Sequence, residues 1–376
     1  MKRSSLFMFL CSALTLVVFA YCKKKDTETP GPDNGVVFDK PAMLANYADS
    51  VIIPNLQAAK LNIDALVSSF ENFSQNKTVA NLQDLRLKYI EAAVSFQYIS
   101  TFEFGPSETE IVRSNFNTFP TDTAEINSNI TTGNYNLGAV SNLDAKGFPA
   151  IDFLLYGKNL SDNSLIDLFT SSSKAAERTA YVKNCLQEIQ SKLNTVVANW
   201  KNSYRATFIS STGAQIGSSL GLLVNQLNFE VDALKNGKIG IPLGKKSLEV
   251  ILPEKCEAYY ANTISVKLAK ECLFNIENVY LGRSRNGANG LGLDDYLIAL
   301  NATHATGSLN DAINAQFAAA KQKLSLVSEP LTDALVNNTA AVNAAYTEIV
   351  KLLVLLKTDT PSALGIVITY QDGDGD

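Results

Sequence analysis

Four runs of apolar residues step by three and four along this chain, and that period decides most of what it can fold into. Leu82, Leu85, Tyr89, Ala93, Phe96, Ile99 and Phe102 make the first, and Tyr181, Cys185, Ile189, Leu193, Val196, Trp200 and Tyr204 the second. Tyr260, Ile264, Leu268, Cys272 and Ile276 repeat the spacing, as do Leu309, Ile313, Phe317, Ala320, Leu324 and Val327. Residues so spaced fall on one side of an α-helix, so each run predicts a helix with one face in a core. Aromatic rings in such stripes serve packing before they serve a cofactor. No alternating strand pattern competes, except the short "GIVITY" at 365–370. Pro54 lies inside the helical run 42–73 and predicts a kink, because its ring removes an N–H and crowds the preceding turn. The expected fold class is all-α, arranged as two helical bundles.

Two breaks interrupt the stripes. Residues 105–146 are rich in Asn, Ser and Thr, a length that implies a functional loop or short elements within it. Residues 282–292, "GRSRNGANGLG", are glycine-rich and basic, but no strand precedes them and no Gly-Lys-Ser/Thr ends them, so they are not a phosphate loop. Set side by side, the breaks suggest an internal repeat. Gly105 aligns with Gly282, Ser107 with Ser284, Gly147 with Gly290, and Asp152 with Asp295, each aspartate followed by an aromatic residue and a leucine. On that reading the two bundles are related by duplication.

The amino terminus sets the compartment. Lys2 and Arg3 precede an apolar run from Leu6 to Tyr21 that ends at Cys22. That order reads as an export signal, residues 1–21, with lipidation of Cys22; the run is short of the roughly 20 residues of a membrane span. Residues 22–35 then read as the lipidated cysteine and a flexible Pro/Gly tether, 36–175 as the first bundle with its long loop 105–146, and 176–376 as the second. The expected location is the cell envelope, anchored by lipid and facing the periplasm or the surface of an outer membrane. Without residues 1–21 the chain keeps 30 basic against 37 acidic side chains, a formal charge of −7, which argues against nucleic acid as a partner. After Cys22 only Cys185, Cys256 and Cys272 remain, so no disulfide framework exists. Cys256 and Cys272 fall on one expected helix, about 24 Å apart and beyond bridging distance, and read as buried thiols.

"GFPAIDFLLYG", Gly147–Gly157, sets Asp152 inside an apolar run. A buried carboxylate needs a partner. Either it belongs to a site, or it serves the start of a helix, where Pro149 suits the first turn and a nearby carboxylate favours the positive end of the dipole.

The order of segments resembles the imelysin-like proteins, a family filed as peptidases and linked to iron uptake. The resemblance rests on "VIIP", "LRLKYIEAAVSFQYISTFEFGPSE", "NQLNFEVDALKNGKIGIPLGKKS" and "DTPSALGIVITYQDGDGD" in that order. It implies two helical bundles with a site near their junction. The family's Gly-x-His-x-x-Glu falls on Gly147, Pro149 and Asp152: the glycine is kept, histidine has become proline and glutamate has become aspartate. Proline offers no ligand and aspartate reaches one methylene less, so the metal that a His/Glu pair would share loses its best donor. The resemblance makes Glu103, Gly147 and Asp152 candidate ligand-binding residues and the proposed repeat adds Asp295, with Asp152 and Glu103 as candidate ligands for iron or another divalent metal through hard carboxylate oxygens.

Peptidase chemistry on zinc wants three protein ligands, an open position and a base. The single histidine, His304, stands in a polar loop and reads as solvated. The terminal Asp372, Asp374 and Asp376 resemble the opening of a calcium loop without its twelfth-position glutamate and read as a solvated tail. The expected function is therefore a lipid-anchored binding component of iron or haem acquisition. Its expected partners are membrane lipid, through Cys22, and outer-membrane uptake proteins. A metallopeptidase and a protein-docking scaffold without a small ligand are the alternatives.

Overall fold

A computed structural model describes residues 36–370. The export signal, Cys22, the tether and the acidic terminal residues lie outside the described residues. Among the helices of the described residues, eight carry the architecture: α1 Ile53–Gln75, α2 Val79–Phe96, α3 Gly147–Tyr156, α4 Ala175–Asn199, α5 Ser219–Ala233, α6 Ser265–Tyr280, α7 Leu309–Ser325 and α8 Thr339–Val354. Side-chain caps fix several starts. The Thr78 hydroxyl accepts from the Asn81 N–H, Ser218 from Gly221, and Ser308 from Asp311, each worth roughly 1 kcal/mol.

The apolar stripes do what their spacing predicts. Leu82, Leu85, Tyr89, Tyr181, Cys185, Ile189, Ile313, Phe317 and Leu324 are all buried. Helix α1 packs on α2 and α4, with α3 laid against α2 and α4. Helices α5, α6, α7 and α8 form the second bundle. One continuous hydrophobic core runs through both.

Several sequence expectations change. Helix α4 packs on α1, where Gln190 donates to Asp64 at 2.8 Å, so the first bundle runs past residue 175 and takes in 175–199. The serine-rich turn before α4 is a loop inside a bundle. Residues 105–146 do hold short elements, one of the two readings of their length: helices Pro106–Thr109, Val112–Asn117 and Thr123–Thr132 and a 3-10 turn, Val140–Ala145. "GIVITY" forms no strand, and the two strands among the described residues are the two-residue pair Thr303–His304 and Gly307–Ser308. Cys256 and Tyr260 precede α6, which starts only at Ser265, because Ala258 and Asn262 take left-handed backbone angles (φ 53° and 52°) that end any helix there.

Pro54 causes no break. Residues Lys40–Asn46 are helical, Tyr47–Ile52 form a wider π-helical turn, and α1 continues from Ile53. The wide turn shifts the hydrogen-bond register just where proline has no N–H to give.

Candidate functional site

Helix α3 carries the segment that the sequence singles out, and glycine lets it start where it does. Gly147 has φ 73°, and a Cβ there would lie 2.4 Å from the carbonyl oxygen of Phe116. Only glycine combines that conformation with that approach. Pro149 sits in the first turn, where an N–H has no intrahelical partner. Phe148 packs against Phe96 and Phe116, which locks α3 to α2 and to the Val112–Asn117 helix.

Asp152 is one turn too far along to act on the helix start. Its side chain leaves the first bundle instead: the two carboxylate oxygens accept from the backbone N–H groups of Tyr260 and Ala261 at 2.8 and 2.9 Å. The segment between Ala258 and Asn262 has the left-handed residues noted above, so those two N–H groups have no helix or strand to satisfy them, and the carboxylate does. Burial pushes the Asp152 pKa up to about 7; the two N–H bonds oppose the rise and the Glu257 carboxylate adds to it.

Beside Asp152 opens a cavity of about 230 Å³. Pro149 and Asp152 form one wall, Phe119 and Pro120 another, and Tyr259 and Tyr260 a third. A smaller cavity of about 190 Å³ lies past the same two tyrosines, walled by Asn159, Asn262 and Thr332. Behind the first cavity Glu257 is buried and accepts from Lys238 at 2.6 Å, Asn117 at 2.6 Å and Gln97 at 3.2 Å. Burial acts to lower the Lys238 pKa, but its neighbours together, Glu257 first and Cys272 and Glu230 after it, more than offset that and raise it, so the ammonium is held charged. Sequence reasoning missed Glu257, Lys238, Tyr259 and Tyr260. Lys238 offered one signal, a cation set among glycines and isoleucines in "NGKIGIP".

The other candidates lie elsewhere. Glu103 accepts the Arg113 N–H at 3.0 Å, and burial pushes its pKa up to about 7 against the opposing pull of Arg113. The Arg113 guanidinium donates to the Ser100 carbonyl and to Gln226, both at 2.8 Å. Asp295 accepts the Gly292 N–H at 3.0 Å and caps the short helix Leu293–Ala299. It therefore does for its own helix what Asp152 does for a distant segment, and the three carboxylates have separate partners. Among the described residues no three His, Cys, Asp or Glu side chains are grouped to hold a metal ion. His304 is not simply solvated, since its Nδ1 lies 2.8 Å from Asp359. Cys185, Cys256 and Cys272 are free and buried, and burial pushes the Cys256 thiol up to about 12. The donor set here does not fit the three-ligand site of a zinc peptidase.

The family model described as imelysin, peptidase M75, matches residues 52–356. "Iron-regulated protein A" of Synechococcus elongatus is 23% identical over 303 residues, covering 77% of this chain and 76% of that protein. Among solved structures, an iron-regulated protein A precursor from Parabacteroides distasonis superposes with a TM-score of 0.70 at 16% identity, covering 86% of this chain and 94% of its own. An imelysin-like protein from Psychrobacter arcticus does so with a TM-score of 0.67 at 18% identity, covering 88% and 97%.

Proposed function

The chain belongs to the imelysin family, and from that premise we propose that it is an exported, lipid-anchored envelope protein with an iron-related role, which binds a ligand and does not cut a substrate. The observation that carries this reading is the wall of the junction cavity, where proline stands in the place of the family's histidine and both oxygens of Asp152 are taken by backbone N–H groups. A metallopeptidase needs a metal-bound water and a free base at that wall; a binding protein needs only the enclosed space and its polar rim.

The iron-related role is supported by the relatives' name, iron-regulated protein A, and by the similarity of most of the chain to them. The export reading rests on the apolar run that ends at Cys22. Anchored there, the protein would hand iron or haem to, or take it from, an outer-membrane uptake protein. Cys22→Ser is expected to leave the precursor unlipidated and to move the protein out of the membrane fraction; unchanged mass and attachment would remove the anchor from the reading.

The test of the whole reading uses protein purified without a metal-binding tag. Elemental analysis is expected to show no stoichiometric zinc, and a denatured protein substrate is expected to survive incubation with it. Cleavage that a chelator abolishes would replace this reading with the metallopeptidase. A deletion strain that grows normally in iron-depleted and in haem-supplemented medium would leave only a docking scaffold.

A further inference from the structure

A second groove, which shares no residue with the Asp152 cavity, lies between α6 and α7 and has a volume of about 400 Å³. Its floor is apolar, formed by the buried Leu273 and Leu324, and its walls are aromatic: Phe274, 37% exposed, and Tyr98 from the turn after α2. A large ring left this open beside a leucine floor costs free energy in water unless something covers it.

The rim is basic, although the chain as a whole carries a formal −5. Part of that charge comes from the glycine-rich loop 282–292, which the cavity beside Asp152 does not use. The loop's base is pinned: Asn46 donates from its side chain to the carbonyls of Gly282 and Leu291, at 2.7 and 3.0 Å, and Arg283 bridges Asn289. Held in that way, the loop lays the Arg285 guanidinium over the Tyr98 ring at 3.9 Å and Arg283 towards Phe274 at 5.7 Å. Glu277 takes up both Lys321, at 2.6 Å, and Arg283, at 3.3 Å, one carboxylate for two cations. Glu271 is engaged by the Tyr98 hydroxyl at 2.6 Å. Lys270 and Arg285 have no carboxylate partner among the described residues. The rim thus sets four cations against two carboxylates.

We propose that the α6–α7 groove binds a small amphipathic carboxylate, its apolar body on Leu273, Phe274 and Leu324 and its anionic end between Lys270 and Arg285. Charge complementarity selects the anion, since a neutral or cationic molecule of equal apolar area would leave two cations without a counter-charge. The volume falls within the range of pockets that take single small molecules. The aromatic walls are preset by the stacked arginine, so little side-chain order has to be bought on binding.

The test uses the full mature protein, with 1-anilinonaphthalene-8-sulfonate as the fluorescent probe, and dodecanoate or dodecanol as competitor. Dodecanoate is expected to displace the probe, with dodecanol at least about tenfold weaker, the worth of roughly two partly exposed charge contacts. Ser325→Trp, which fills the groove from its exposed end, is expected to abolish probe binding. The pair Lys270→Glu and Arg285→Glu, both on the surface, is expected to weaken dodecanoate about tenfold and leave dodecanol unchanged, and it keeps the question answerable should the tryptophan variant fail to fold. Equal displacement by acid and alcohol, or probe binding indifferent to both sets of variants, overturns the proposal. So does binding to anionic phospholipid vesicles that Ser325→Trp abolishes, which would assign the groove to a membrane surface.

Discussion

At the scale of single residues the molecule turns on Asp152. Its carboxylate is the acceptor for two backbone donors 108 and 109 positions away, so removing it strands both inside the protein. Asp152→Ala is expected to cost about 2 kcal/mol or more in urea unfolding, and Asp152→Asn less, because the amide keeps one acceptor. The same residue sets a pH dependence. Burial raises Asp152 and Glu103 to about 7, and burial together with Asp295 raises Asp294 to about 6. The unfolded chain gives up these protons near pH 4. Between pH 4 and 7 the folded protein therefore holds more protons than the unfolded one, and stability falls as pH rises through that window. The lowered carboxylates, Asp49 and Asp162 among them, act in the opposite sense, but only as pH falls below about 5. The midpoint of thermal unfolding, followed by calorimetry in a chelating buffer, is expected to be several degrees higher at pH 5 than at pH 8. The carboxylate's importance was legible, because a charge in an apolar run demands a partner. Its partner was not, because nothing local in "KCEAYYAN" announces two left-handed residues or the orphaned N–H groups between them.

At the scale of elements, the wide helical turns follow a rule. Four π-helical turns occur among the described residues: Tyr47–Ile52, Trp200–Tyr204, Leu234–Gly240 and Leu355–Asp359. Three are followed by one residue and then a proline, Pro54, Pro242 and Pro361. A proline collides with the carbonyl four residues back in a regular α-helix, and a turn that has taken in an extra residue moves that carbonyl away. Proline is therefore at ease at these positions and costly a turn later. Pro54→Ala is expected to change stability by less than about 1 kcal/mol, whereas Ala59→Pro, in the regular part of α1, should cost about 3 kcal/mol or more. Chemical denaturation of the two variants measures the contrast. The helices themselves were legible from their stripes, since a period of three and four has only one regular backbone to satisfy it. The wide turns were not, because an added residue shifts the stripe by a step that a single sequence does not distinguish from ordinary scatter. The stripe through Tyr260 likewise ran on past the true start of α6, as apolar residues in an irregular turn can bury themselves with the same spacing.

At the scale of the whole molecule, the bundles share one core and are stapled by polar contacts at several points. The Tyr47 hydroxyl donates to the Val279 carbonyl at 2.7 Å and accepts the Leu293 N–H at 2.9 Å; Ser100 donates to Glu230 at 2.7 Å, and Asn275 to Thr101 at 3.1 Å. Such a junction leaves neither bundle a complete surface of its own. Unfolding is expected to be a single transition. The sole tryptophan, Trp200, packed among Phe104, Tyr204 and Phe208, reports on the first bundle by fluorescence, while far-ultraviolet circular dichroism reports on both. Coincident denaturation curves are the expected result; a tryptophan transition separated from the dichroism would show the bundles to be independent. Gly105 and Gly282 both stand at φ 57°, and Asp152 and Asp295 serve different partners.

The clasp between Asp152 and the turn before α6 also bears on how the protein breathes. Tyr260 and Ala261 lie in no helix or strand, and amides in irregular segments ordinarily trade their hydrogens with water quickly. Here both hydrogens end on a buried carboxylate held by the other bundle. Neither can reach solvent until α3 and this turn separate. In deuterated water these two amides should keep their protons as long as those of the core helices, and their first loss would time the parting of the halves and the opening of the cavity between them.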